Sequence, residues 1–173
     1  MAQAGWDPMT GVSQMVSWFA KLNEQIDKVV ETETRGQLVR AVDRLRKELY
    51  ALEANTVVLR DSVPEGLPNA EERQYLQQLA DDLLQVVIRL SKSVRDVGAE
   101  LRLNDAEQIE SALTYGLRTR AQVLTAFQQA LAQSEQGKWN PSEVRGRLDA
   151  GIQAVKAAQL AATKFRRDLD AKK

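Results

Sequence analysis

The chain contains no cysteine and no histidine. Without thiols there is no disulfide framework, no CxxC redox pair and no cysteine nucleophile. Without imidazole the commonest general base and the commonest metal ligand are both missing. The Glu-x-x-His pairs of di-iron helical bundles cannot be built. Proline and glycine are sparse, at 4 and 9 residues in 173, and aromatics make up 5%. That is far too little Pro and Gly for a collagen-like or low-complexity chain. Charge of either sign is not in excess, because 24 basic residues balance 24 acidic ones. A neutral total argues against nucleic acid as the main partner, since affinity for a polyanion comes largely from Lys and Arg set against phosphates. No uncharged apolar run approaches the roughly 20 residues that cross a bilayer. The first eleven residues, MAQAGWDPMTG, lack a basic start followed by an apolar stretch. They are not read as a secretory signal, and the expected location is cytoplasmic.

What is present is helical periodicity. A chain of this length can bury about 70% of its unfolded surface in one core, so residues 1–173 are read as a single domain. Val12, Met15, Phe19, Leu22, Ile26 and Val29 alternate steps of three and four, with Val16 and Val30 widening the stripe. This predicts a first helix over about 10–32. The phase breaks between Thr32 and Gly36, where Thr34 and Gln37 have capping-box spacing, so a second helix is placed at 35–62. Its stripe runs Leu38, Val42, Leu45, Leu49, Leu52, Thr56, Leu59 and Val63, a seven-residue repeat with one polar lapse. Pro64, Gly66 and Pro68 end it.

Asn69 and Glu72 open a third helix, 69–103, which carries Leu76, Ala80, Leu83, Val87, Leu90, Val94, Val97 and Leu101. A fourth is expected over 105–136, stopped by Gly137. Asn140 as cap, Pro141 at the first helical position and Glu143 three residues on start a fifth, 141–171. Short connections make neighbours antiparallel, and heptads favour shallow, coiled-coil-like crossings. The expected architecture is all-α: an elongated up-and-down bundle of four to five long antiparallel helices.

Catalytic chemistry finds little to stand on. Asp81-Asp82 is similar to the first half of a prenyl-synthase magnesium motif, but the position that should be acidic is Gln85. Glu107 and Glu110 have a spacing seen in helical nucleotide hydrolases, with no matching second pair, and they sit at a helix start where the dipole favours acid. Gly137-Lys138 lacks the rest of a phosphate-binding loop. Ser91 and Lys92 are adjacent, so on a helix they point apart. The expectation is a non-enzyme with no metal, no cofactor and no evident small-molecule substrate.

Three features point toward association instead. Trp6 and Trp18 lie near the N-terminus and off the main stripe, either covering the bundle end or serving as exposed anchors. Charge is uneven: segments 1–63, 64–103 and 104–137 sum to −1, −2 and −2, and 138–173 to +5. Lys164, Arg166, Arg167, Lys172 and Lys173 crowd the last ten residues, as the helix dipole alone would favour or as a basic docking end would require. Finally, residues 121–134 carry no charge, and 150–163 carry only Lys156. A bundle helix ordinarily shows a charged outer face. Such runs of small and neutral residues suit close packing of the fourth helix on the fifth, or, where Gln122, Gln129 and Gln133 offer neutral polarity on the outer face, a candidate surface for oligomerisation or a protein partner. The leading expectation is a protein–protein interaction or assembly module. The alternative is a membrane-targeting effector: an N-terminal amphipathic helix ahead of a four-helix bundle resembles, in general layout, the membrane-permeabilising domains of cell-death and defence effectors.

Overall fold

A computed structural model of the chain describes residues 9–25, 32–101, 106 and 137–171. Four helices account for nearly all of them: α1 (Met9–Gln25), α2 (Thr32–Asp61), α3 (Ala70–Leu101) and α4 (Pro141–Ala171). Among the described residues there is no strand. At about 1.5 Å per residue, the 30, 32 and 31 residues of α2, α3 and α4 make rods about 45–48 Å long. The chain is an all-α bundle.

Polar pairs fix the direction of the rods. Glu48 meets Arg89 at 3.0 Å and Arg44 meets Asp96 at 3.7 Å, so α3 descends as α2 rises. Asp43–Arg166 at 2.9 Å, Glu53–Lys156 at 3.9 Å and Arg60–Asp149 at 2.7 Å give α4 the same antiparallel relation to α2. Helix α2 therefore lies between α3 and α4, while α1 packs on α4. The Phe19 and Phe165 rings meet there, centroids 5.7 Å apart.

The seven-residue repeat of α2 is its buried face, from Leu38 to Leu59 without exception, and Val63 just past its end is buried as well. The polar lapse at Thr56 is fully buried, and its hydroxyl donates to the Leu52 carbonyl at 2.6 Å, one turn back. A β-branched residue of Val shape thus fits an apolar seam without an orphaned donor. On α3, Leu84 and Val86 join the heptad positions in the interior and widen its buried face. On α4, Leu148, Ile152, Val155, Ala158, Ala162, Phe165 and Leu169 form the inner stripe.

One boundary and one buried position differ from expectation. Helix α2 runs from Thr32, so Thr34 stands inside the helix and not at its start. The spacing of a capping box is present, but a residue of that kind is also tolerated within a first turn. On α1, Val16 is 37% exposed and Trp18 takes its place inside, at 2%. The stripe widens toward the larger apolar side chain. Residues 26–31 and, apart from the buried Ala106, the helix expected over 105–136 lie outside the described residues.

The caps of α3 and α4 are both built. The Glu72 amide donates to the Asn69 side chain at 2.8 Å, and the Asn69 amide donates back to the Glu72 carboxylate at 3.3 Å. At α4 the Glu143 amide donates to the Asn140 side chain at 3.1 Å, behind Gly137 at φ 75°. Asn140→Ala is expected to cost about 1 kcal/mol by orphaning that amide. Urea denaturation measures it, and an unchanged midpoint would remove the cap from the account.

The ends of the rods are tied as well. The Trp139 indole donates to the Pro64 carbonyl at 2.9 Å. Arg145 on α4 donates to the Val63 carbonyl at 2.7 Å and to Glu65 at 2.6 Å. The turn after α2 is thereby fastened to the entrance of α4.

Candidate functional site

The charges of α4 are distributed by face. Asp149 and Lys156 are turned toward α2, where Arg60 and Glu53 receive them. Arg166 is turned the same way. It contacts Asp43 at 2.9 Å and pairs with Asp170 on its own helix. The hydrogen bond to Asp170 is the chief cause that raises the Arg166 pKa, with Asp43 adding and burial opposing. Arg166 is therefore already paired within the chain, by Asp43 and Asp170 at the surface of the bundle. Lys164 and Arg167 are exposed, and Lys172 and Lys173 lie outside the described residues.

Turning those charges inward leaves a neutral stripe outside. Gly146, Ala150, Gln153, Ala157, Leu160 and Lys164 are all exposed, at alternating spacings of four and three, and Arg167 continues the series. This is a second seven-residue repeat on the same helix, opposite the core stripe. The first charge on it past Glu143 is Lys164, and Leu160 is 73% exposed, the most exposed large hydrophobic residue described. The weak charge of 150–163 was legible in the sequence, but its meaning was not. Of its small residues, Gly151, Ala158 and Ala162 pack inward, Ala154 and Ala161 are half-buried, and Ala150 and Ala157 face solvent.

Other sequence candidates fall in different places. Trp18, considered above as an exposed anchor, is 2% exposed and its ring meets that of Phe19 at a tilt, centroids 5.2 Å apart, so it belongs to the core face of α1. Its Nε1–H finds no acceptor among the described residues. Trp6, Gln122, Gln129 and Gln133 lie outside the described residues. Ser91 is buried and donates to the Ile88 carbonyl at 2.8 Å, while Lys92 faces solvent, so the two are not brought together. Asp81 is half-buried and Asp82 exposed; Glu107 and Glu110 lie outside the described residues. Among the described residues no three acidic side chains converge as a metal site would require, and no helix is long and apolar enough to cross a membrane.

Sequence reasoning missed Trp139 and Arg145. Their role depends on which turns meet at the bundle end, and residues 75 or more positions apart give no local signal. Comparison with protein-family models, with curated proteins and with solved structures found no match.

Proposed function

We propose that this chain is a non-enzymatic helical-bundle module that acts by associating with protein, itself or another chain. The observation that carries the reading is the outward stripe of α4, where Leu160 stands exposed in a row of small uncharged residues. Solvent contact gives no reason to keep Lys and Glu off such a row, whereas an interface does, because desolvating a charge is costly. The neutral, Gln-rich run of 121–134 supports the same reading at the level of sequence.

The membrane alternative is weaker on the described residues. Its amphipathic helix would need a free apolar face, and α1 commits Val12, Met15, Trp18, Phe19 and Leu22 to the core.

The test is the native size of the chain in extracts of cells that express it. The unmodified chain is expected in an assembly larger than a monomer, and Leu160→Glu is expected to run smaller. A monomer in both cases would overturn the association reading. Sedimentation of the chain with anionic vesicles added to that extract would favour the membrane alternative instead.

A further inference from the structure

We propose that the outward stripe of α4 pairs antiparallel with the same stripe of a second copy of this chain; the inference rests on the association reading and names its partner. Three observations select this occupant.

The first is Gly146. A glycine inside an exposed helix weakens it relative to alanine, and here the fold makes no use of the missing side chain: a Cβ at Gly146 would meet nothing within 4 Å. A second helix approaching closely does make use of it.

The second is size. The stripe has one large apolar residue, Leu160, near one end and the small Gly146 and Ala150 near the other. In an antiparallel pair, Leu160 of one copy lies opposite Ala150 of the other, so each copy supplies one knob and one hollow.

The third is charge. That register also sets Arg167 of one copy opposite Glu143 of the other, with Lys164 beside it over Gly146. All three charged residues are exposed. In the single chain Glu143 pairs at 2.8 Å with Arg147, a solvent-exposed i,i+4 contact of the kind that contributes little, which leaves it open to a second partner. A parallel pair would instead face Lys164 with Lys164 and Arg167 with Arg167, which like-charge repulsion disfavours. The stripe is thus complementary to itself, in one direction only. A lipid surface fits it less well: the two cations would attract anionic headgroups, but a single large apolar side chain gives little to insert.

The test uses the purified full chain, followed by sedimentation equilibrium over a concentration series and by zero-length carbodiimide cross-linking with peptide mapping. A monomer–dimer equilibrium is expected, with a cross-link joining Glu143 to Lys164. Within one copy these residues are 21 positions apart on a single helix, about 30 Å along its axis, so that link forms only between copies. Leu160→Glu is expected to weaken dimerisation by about tenfold or more, with the helical circular dichroism unchanged. Lys164→Glu with Arg167→Glu should weaken it too, and adding Glu143→Arg should restore it.

A strict monomer up to about 1 mM overturns the inference. If the pure protein is that monomer but the chain runs in a larger assembly in extract, the association reading survives with a different partner. A dimer that withstands Leu160→Glu and lacks the Glu143–Lys164 link also overturns the inference, and shows association through another face.

Discussion

Replacing Phe165 with Ala is expected to lower the unfolding free energy by about 3–5 kcal/mol, the cost of truncating a buried Phe. Phe165 is fully buried on α4 and its ring meets Phe19 of α1, which in turn meets Trp18. The truncation therefore opens a cavity where three aromatic rings join two helices. Its effect should be uneven along the chain. Helix α1 has only 17 residues, a length that is barely stable alone in water, so its persistence depends on docking. Among the described helices its partner is α4. The buried Trp18 Nε1–H has no acceptor among the described residues, and such an orphaned donor opposes docking by about 1–3 kcal/mol. Aromatic packing has to outweigh that penalty, and Phe165 supplies a large share of it. Urea denaturation should show a lower midpoint at constant slope, and native-state hydrogen exchange should accelerate more in α1 than in α2. A loss below about 1 kcal/mol, the average for any substitution, would mean that Phe165 does not anchor α1.

How far the sequence discloses this architecture depends on whether the deciding interaction is local. The stripes of α2, α3 and α4 follow from a seven-residue repeat, because one buried face is enough to fix the phase of a helix. The caps at Asn69 and Asn140 are readable for the same reason: donor and acceptor lie three residues apart. Thr34 shows the limit. It has the spacing of a cap, yet α2 already runs through it, because a capping signal competes with helix continuation. Val16 and Trp18 show a second limit. Both flank the α1 stripe, and the choice between them is made by what α4 offers, here the Phe165 side of the helix.

The candidate surface was half legible. A segment of α4 poor in charge signals either core or interface, and only the third dimension divides its alanines between the two. Asp149, Lys156 and Arg166 pair across the surface with α2, which holds Arg60, Glu53 and Asp43 at matching heights. That match cannot be seen until the two helices are known to run antiparallel. The +5 excess of the last segment is accordingly part structural, with Arg166 answered by α2 and by its own helix, and part free on the surface at Lys164 and Arg167.

Leu90→Ala and Leu160→Ala remove the same atoms from two helices of one bundle, and their expected effects are opposite in kind. Leu90 is fully buried on α3, one residue from the Arg89–Glu48 pair that holds this level of α3 beside the Leu45–Leu49 turn of α2. Its truncation leaves a cavity walled by two rigid helices, so the expected loss is about 2–5 kcal/mol at any protein concentration. Leu160 faces solvent in the single chain, so in dilute solution its truncation should fall within about 0.5 kcal/mol of neutral. The difference should grow with concentration, because a dimer adds stability by mass action and Leu160→Ala forfeits part of that gain. Thermal unfolding of both variants over a dilution series separates the two behaviours. A Leu90→Ala loss below about 0.5 kcal/mol would displace α3 from the core, and a Leu160→Ala loss of that core size in the dilute monomer would put the outer stripe of α4 inside the protein.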